Sequence, residues 1–301
     1  MRICRFADPK RGAILAALDD TDQIMPLGDG LRYFTSMQQL EEAAKEAGQS
    51  FFNYVLSKVG RASERYNLAE IYPTPAPGGV RLLAPVDTHE VWAAGVTYLR
   101  SREARMSESE VAASIYDLVY EADRPEIFLK ATPHRVVAPG EAIGVRSDAS
   151  WTVPEPELAL VLSSKLEIVG LTICNDVSSR DIEGLNPLYL PQAKIYERCC
   201  SIGPAILMLE KMPERVELEI LCTIKRGDKL IFQGATSTKR LKRTLPELVA
   251  YLGRSNTFPG GVVLSTGTGI VPPDSFSLEE GDLVEIELET VGKLVNPVVK
   301  V

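Results

Sequence analysis

Three acidic residues in the middle of the chain have the types and spacing to form a metal site. Glu155 and Glu157 precede an apolar run, a polar turn at Ser163–Lys165 and a second apolar run that ends at Asp176. Residues i and i+2 of a β-strand face the same side, so the two glutamates would present their carboxylates together. If the two runs form a hairpin, the point midway between residues 155 and 176 falls in the polar turn. Asp176 would then return opposite Glu155.

The chemistry of such a cluster depends on whether a cation accompanies it. Three carboxylates brought together without a cation repel one another, and one of them is pushed towards protonation. Oxygen ligands without a nearby cysteine or histidine favour Mg²⁺, Mn²⁺ or Ca²⁺ over zinc. The alternative is a pair of exposed glutamates at a strand end, beside an aspartate that begins a turn. The spacing alone is compatible with both interpretations.

Composition limits the classes of protein to consider. The 301 residues carry a net charge of −8, with a pI of about 5.1, so neither a nucleic acid nor an anionic membrane is expected as a partner. The chain has no apolar signal core and no run of about eighteen apolar residues, which predicts a soluble cytoplasmic protein without a membrane segment. The five cysteines form no CxxC pair and are expected to be reduced thiols.

The sequence offers little for histidine chemistry or nucleotide binding. It has two histidines, His89 and His134, and no GxSxG, P-loop or GxGxxG motif. We expect both histidines to have structural roles.

The elements that must position the acidic cluster form a small first part and a larger second part. Tyr72–Pro85 holds four prolines and two glycines, which indicates a domain boundary. We expect a small α+β domain over residues 1–75 and a larger domain over residues 76–301. The larger part is mostly β, and its strands do not alternate with helices as a Rossmann or TIM fold requires. A capping box at Ser107 and Glu110 predicts a helix between two of these strands.

Six motifs of the larger part occur in an order and spacing shared with a known family. They are EPELALVL, GLTICNDVSSRDIEG, LPQAK, SIGPAI, GGVVLSTGTGIV and EGDLVEIELETVGKLVNPV, within residues 86–301. This part of the chain resembles the fumarylacetoacetate hydrolase superfamily. The resemblance implies an α+β, mainly β fold: a mixed β-roll or distorted barrel with a small N-terminal α+β domain. It also implies a bound Mg²⁺, with Mn²⁺ or Ca²⁺ as alternatives, a 2-keto acid substrate, and a homodimer or homotetramer.

The same resemblance assigns roles to individual residues. In this family the ExE pair and the aspartate of the NDxSxRD motif bind the metal, which assigns it to Glu155, Glu157 and Asp176. The arginine of NDxSxRD matches Arg180, and the second threonine of the TGT loop matches Thr268. The resemblance implies that both contact the substrate.

One departure separates this chain from the hydrolases of the family. They carry GxNYxxHxxE after the first core strand, where the histidine helps to activate water. Here the stretch is GVTYLRSREA, with Ser101 at the histidine position and Ala104 at the glutamate position, so Ser101 is expected to contact substrate instead. GVTY, PEIFLKA and NPLYLPQAK resemble the dehydratase branch acting on 2-keto-3-deoxy sugar acids, the 2-keto-3-deoxy-D-arabinonate dehydratase type. Its proposed acid and base groups match Glu126 and Lys194.

The resemblance therefore implies a hydro-lyase: Mg²⁺-dependent dehydration of a 2-keto-3-deoxypentonate to 2,5-dioxopentanoate through a metal-stabilised enolate. A base would remove a C3 proton, and an acid would help the C4 hydroxyl to leave as water. Two other functions fit the same residues. One is an acylpyruvate hydrolase or oxaloacetate decarboxylase, and the other is a 2-keto acid-binding protein without turnover. Structural alternatives also exist, namely ion pairs of Arg180 with Asp181 or Glu183, and of Glu126 with Arg124 or Lys130.

Overall fold

A computed structural model of the protein describes residues 1–28, 32–101, 118–213 and 216–301. The predicted capping box of Ser107 and Glu110 lies outside these ranges. Within them, the helices are α1 (Met37–Glu46), α2 (Phe51–Lys58), α3 (Leu68–Ile71), α4 (Arg180–Leu185), α5 (Leu190–Lys194) and α6 (Leu245–Leu252), with 3-10 turns at Pro133–Arg135, Pro187–Tyr189 and Thr238–Arg240. None of these helices has the length and apolar character needed to cross a membrane.

The strands of the described ranges fall in both parts of the chain. They are β1 (Arg2–Asp8), β2 (Gly12–Leu18), β3 (Gln23–Pro26), β4 (Tyr66–Asn67), β5 (Arg81–Leu83), β6 (Glu90–Gly95), β7 (Glu126–Ala131), β8 (Val136–Val137), β9 (Ile143–Val145), β10 (Thr152–Val153), β11 (Pro156–Leu162), β12 (Ile168–Asp176), β13 (Ser178–Ser179), β14 (Cys200–Leu207), β15 (Glu219–Arg226), β16 (Lys229–Ser237), β17 (Val262–Ser265), β18 (Asp282–Leu288) and β19 (Gly292–Lys300).

Most strands belong to one large mixed sheet, in agreement with the mainly β prediction. Its order is β4-β3-β2-β1-β14-β12-β11-β17-β6-β7, with β5 beside β1 and β8 beside β14. β17 and β6 are parallel, whereas β14, β12 and β11 are antiparallel neighbours. A second sheet has the order β16-β15-β18-β19-β9, and β10 pairs with β13. The hairpin of β11 and β12 therefore lies in the interior of the large sheet.

Strand β11 is buried on both faces because an apolar layer covers each of them. Leu158 and Leu160 belong to a core that includes Ile286 of the second sheet. Ala159 and Val161, which point the opposite way, belong to a core that includes residues of α1 and α2. A strand covered on both faces needs a continuous apolar sequence rather than an alternating one, which explains the composition of this run.

Strand pairing joins the first part of the chain to the second. β1 pairs with β14, with Arg2 opposite Leu207 and Ile3 opposite Ile206. β5, which lies within the proline-rich segment, pairs with β1 in turn. One sheet thus runs across residue 75, and the division into domains 1–75 and 76–301 stays a prediction.

Candidate active site

The hairpin has the register that the spacing of its acids predicts. Glu157 pairs with Cys174 across the two strands. The Asp176 amide donates to the Glu155 carbonyl at 3.0 Å, and the Glu155 amide donates to Asn175 Oδ1 at 3.1 Å. The strands therefore reverse in the polar segment, and the prediction that Asp176 returns opposite Glu155 is confirmed.

Glu155, Glu157 and Asp176 form one buried cluster. One carboxylate oxygen from each lies within 4.8 Å of the other two, and the three residues are only 4%, 2% and 1% exposed. The alternative of exposed acids at a strand end is therefore wrong. Ionised carboxylates removed from water need compensating positive charge or hydrogen-bond donors, and the neighbouring side chains supply both.

Three buried cations surround two of these carboxylates. The Lys194 ammonium lies 2.7 Å from Glu155 Oε2 and 3.0 Å from Asp176 Oδ2. Arg180 Nη2 lies 3.0 Å from the other oxygen of Glu155, and Lys130 Nζ lies 2.6 Å from the other oxygen of Asp176. Burial lowers the pKa of Lys130, but Asp176, together with smaller effects of Cys199, Tyr196 and Cys200, outweighs it, so the pKa lies above its ordinary value. Glu155 and Asp176 are thus each bound by two cations.

Glu157 is held by uncharged donors. Its Oε2 accepts from Ser265 Oγ at 2.5 Å and from the Gly267 amide at 2.7 Å. Gly267 has a φ of 90°, a conformation that glycine adopts without strain. Burial, and then the negative charge of Asp176, raise the pKa of Glu157 well above its ordinary value. A divalent cation among the three carboxylates would offset both effects, and an all-oxygen donor set fits Mg²⁺, Mn²⁺ or Ca²⁺.

The cluster opens into a small, partly enclosed cavity. All eight residues that the sequence singled out line it: Ser101, Glu126, Glu155, Glu157, Asp176, Arg180, Lys194 and Thr268. They come from β7, the central hairpin, helices α4 and α5, and the segments that follow β6 and β17. The fold therefore brings carboxylates, cations and hydroxyls around one cavity.

The two hydroxyls in this cavity are engaged with the backbone. Thr268 Oγ1 donates to the Pro156 carbonyl at 2.8 Å, and Ser101 Oγ donates to the Tyr98 carbonyl at 2.8 Å. A hydroxyl has one hydrogen to donate but two lone pairs to accept with. Both groups are therefore better suited to accept from a substrate hydroxyl than to donate to a substrate carboxylate.

Helix α4 contributes two buried charges to the cavity. Arg180 is its first residue and forms an ion pair with Glu155. The next residue, Asp181, points elsewhere and accepts from the amide and hydroxyl of Ser150. Glu183 is 3% exposed and also lines the cavity. Sequence reasoning considered Glu183 only as an ion-pair partner of Arg180. The spacing of three residues, which places both on one helix face, is the signal that could have identified it.

Strand β7 places three side chains against the site, of which only Glu126 was singled out from the sequence. Glu126 and Phe128 share a face of β7, and Lys130 follows at a β-bulge, where Val91 and Trp92 pair with Ala131 and Leu129. The Lys194 ammonium lies 5.4 Å from the centroid of the Phe128 ring, within the range of a cation–π contact. Lys130 is fully buried and pairs with Asp176. A lysine within the apolar run that follows Glu126 was the available signal for this residue.

Comparison with known proteins gives both a family and close relatives. Residues 90–299 match the family model described as fumarylacetoacetate (FAA) hydrolase C-terminal. The probable 2-keto-3-deoxyxylonate dehydratase of Haloferax volcanii is 54% identical over 217 residues, which cover 72% of this chain and 74% of that protein. The 2-dehydro-3-deoxy-D-arabinonate dehydratase of Saccharolobus solfataricus is 48% identical over 225 residues, which cover 73% of this chain and 75% of that protein.

The fold is shared with solved structures over the whole chain. A structure of 2-keto-3-deoxy-D-arabinonate dehydratase complexed with magnesium and 2,5-dioxopentanoate has a TM-score of 0.82 and 36% identity, and covers 100% of this chain and 99% of that one. The apo form of 2-keto-3-deoxy-D-arabinonate dehydratase has a TM-score of 0.81 at 37% identity, with the same coverage. The predicted mainly β fold is thereby confirmed, and the chain belongs to the fumarylacetoacetate hydrolase family.

Proposed function

We propose that this protein is a hydro-lyase that dehydrates a 2-keto-3-deoxypentonate to 2,5-dioxopentanoate. The observation that carries the proposal is one cavity shared by Glu126, the Lys194 ammonium and the buried carboxylate cluster. An acid–base pair beside a cation site is what elimination of water next to a carbonyl requires. The described residues that line the cavity include Ser101 and no histidine. Relatives at 54% and 48% identity are named as dehydratases, which supports the same reaction.

Glu155, Glu157 and Asp176 are the proposed ligands of a divalent cation, Mg²⁺ with Mn²⁺ or Ca²⁺ as alternatives. The related dehydratase was solved in complex with magnesium, and the buried oxygen donors found here suit that ion. Bound there, the cation would act as a Lewis acid that lowers the pKa of the C3 protons of a 2-keto acid. Lys194 and Arg180 add fixed positive charge next to the same carboxylates.

Glu126 and Lys194 are the proposed acid–base pair. One of them takes a proton from C3, and the other gives a proton to the C4 hydroxyl, which leaves as water. The electrons of the broken C3–H bond form a C3=C4 double bond. Transfer of a C5 proton to C3 then gives an enol with a C4=C5 double bond, and transfer of the enol O–H proton to C4 produces the aldehyde of 2,5-dioxopentanoate. Arg180 is proposed to bind the substrate carboxylate, and Thr268 and Ser101 to accept from its hydroxyls.

The cellular setting is proposed from the family resemblance and the composition. We infer that the protein acts in the cytoplasm as a homodimer or homotetramer. No nucleic acid or membrane partner is expected for a chain with a net charge of −8.

Product analysis by NMR in D₂O tests the function directly. Purified protein with Mg²⁺ is offered 2-keto-3-deoxypentonates, acylpyruvates and oxaloacetate in parallel. We expect only the deoxypentonate to react, giving an aldehyde signal and solvent deuterium at C3 and C4. Reaction of acylpyruvates alone would establish a hydrolase, and loss of CO₂ from oxaloacetate a decarboxylase. Binding of a 2-keto acid without turnover of any of the three would establish a binding protein.

A methyl group at Gly95 should reduce activity without unfolding the protein. A Cβ at this position would lie 2.0 Å from Glu126 Oε2, so Gly95→Ala must push that carboxylate aside. The carboxylate is the end of a flexible side chain, so we expect the thermal midpoint to change little. A displaced acid–base group should lower kcat by about 100-fold. Enzyme assays and thermal melts measure both effects.

Gly184→Ala is the matched control for this substitution. Gly184 lies in α4, close to the cavity, and an added Cβ meets nothing within 4 Å. Glycine to alanine in a helix stabilises by about 0.5–1 kcal/mol, and kcat should be unchanged. Equal kcat in the Gly95→Ala and Gly184→Ala enzymes would show that the position of the Glu126 carboxylate does not affect catalysis.

A further inference from the structure

Lys130 is fully buried, and its ammonium group contacts one carboxylate and two backbone carbonyls. Nζ lies 2.6 Å from Asp176 Oδ1 and donates to the carbonyls of Val177 at 2.7 Å and Lys194 at 2.6 Å. Two of its three N–H donors are used by these carbonyls, and the contact with Asp176 is an ion pair. Lys130 is also not among the residues that line the cavity. Any influence on the reaction must therefore pass through its neighbours.

The contacts of Lys130 fix Lys194 at both ends. Lys130 holds the backbone carbonyl of Lys194, and Asp176 accepts from the Lys194 side chain at 3.0 Å. The two oxygens of Asp176 are divided between the two lysines. The three residues thus form a closed ring, and the size of this ring sets the distance between the Lys194 ammonium and the carboxylate cluster.

Helix α5 needs such an anchor because it is short. It has five residues and ends at Lys194, and a helix of this length has little stability of its own. Lys130 therefore supplies a tertiary contact at the end of the helix that carries the reactive side chain. Glu126 lies on the same strand, β7, four residues before Lys130. One strand thus places both members of the acid–base pair, Glu126 directly and Lys194 through Lys130.

We propose that Lys130 is a positioning residue, which holds Lys194 in place relative to Asp176 and Glu126. The proposal rests on the acid–base role assigned to Lys194 under the proposed function. Misplacement of a reacting group by about 1 Å can cost about 100-fold in rate, so an anchor of this kind has a measurable effect without touching the substrate.

The test is Lys130→Met, which keeps most of the side-chain volume but removes the charge and the donors. At saturating metal and substrate, we expect kcat to fall by about 100-fold with little change in KM, because Lys130 makes no contact with the substrate. Asp176 also loses a partner, so Mn²⁺ binding, followed by electron paramagnetic resonance, should weaken by about 10- to 100-fold.

Lys225→Met is the matched control. Lys225 also lies on a strand and pairs with a carboxylate, that of Glu285 at 2.8 Å, but neither residue lines the cavity. This variant should keep the wild-type kcat, KM and Mn²⁺ affinity. A Lys130→Met enzyme with wild-type kcat at saturating metal, or with a loss confined to KM, would overturn the proposal.

Two further outcomes are also decisive. If Lys130→Met does not fold, Lys130→Gln, which keeps amide donors for the two carbonyls, takes its place with the same expected split between kcat and KM. If neither variant folds, Lys130 serves folding alone and the proposal is wrong. Wild-type turnover is measured first, so a different substrate would refute the proposed function, and the same variants assayed on that substrate would still test Lys130.

Discussion

Replacing Lys194 by methionine should lower kcat by about 10²- to 10⁴-fold, the range for loss of an acid–base group. The ammonium is buried in the cavity between Glu155 and Asp176. The fold should survive because Glu155 keeps Arg180 at 3.0 Å and Asp176 keeps Lys130 at 2.6 Å. Enzyme assays at saturating Mg²⁺ and substrate, together with circular dichroism melts, measure the two effects separately.

Lys58→Met provides a control of the same kind. Lys58 is the last residue of α2, as Lys194 is of α5, and its ammonium also lies over an aromatic ring, 4.5 Å from the centroid of Tyr54. It does not line the active-site cavity, so kcat should be that of the wild type. A Lys194→Met enzyme within about tenfold of wild type, below the range for an acid–base group, would contradict the assigned role.

Replacing Glu157 by glutamine should abolish metal binding and turnover, yet stabilise the metal-free protein. Glutamine keeps the shape, so its carbonyl oxygen can accept from Ser265 and Gly267 while its amide group faces the acidic cluster. The pKa of Glu157 is raised by burial and by Asp176. An acid whose pKa is higher in the folded than in the unfolded state costs stability at neutral pH, and glutamine removes that cost.

Thermal melts with chelator and with Mg²⁺ reveal both effects of the Glu157→Gln substitution. With chelator, we expect its midpoint to lie about 2–4 °C above that of the wild type, which corresponds to about 1 kcal/mol. Mg²⁺ at about 100 times its Kd should stabilise the wild type by about 2.7 kcal/mol and leave the variant unchanged. The variant should therefore have the higher thermal midpoint in chelator, and the wild type should have the higher midpoint in Mg²⁺.

Glu285→Gln is the control for these melts. Glu285 lies on β18 and pairs with Lys225, away from the cavity, so this variant should respond to Mg²⁺ as the wild type does. A Glu157→Gln protein that is less stable than wild type in chelator, or whose midpoint still rises with Mg²⁺, would contradict the assignment of Glu157 as a ligand.

The carboxylate cluster could be predicted because the residues and the turn that determine its geometry lie within one short stretch of sequence. Glu155 and Glu157 follow the two-residue period of a strand, and the polar turn lies midway to Asp176, so pattern and turn together determine the register. Lys194 and Arg180 were found through the resemblance of their motifs. Their positions in the cavity depend on where α4 and α5 pack, and the local sequence pattern does not predict this packing.

Features that depend on distant contacts could not be predicted from local sequence. Lys130 bonds to the carbonyl of Lys194, 64 residues further along the chain, and nothing near it in sequence indicates that partner. The proline-rich segment Tyr72–Pro85 has the composition of a linker. Its strand β5 nevertheless pairs with β1, and β1 pairs with β14, because pairing of distant strands is decided by packing rather than by composition.

The two halves of the site differ in local stability, and this has a consequence for evolution. The carboxylate cluster lies on strands with neighbours on both sides, β14 and β17, so its geometry is lost only when the sheet opens as a whole. The segment between Arg180 and Lys194 consists of short helical pieces, with Leu185 and Leu188 76% and 83% exposed. Such a segment opens locally and tolerates substitution. Substitutions in the segment between Arg180 and Lys194 can therefore change the reaction of a 2-keto acid during evolution, while the metal ligands stay in place.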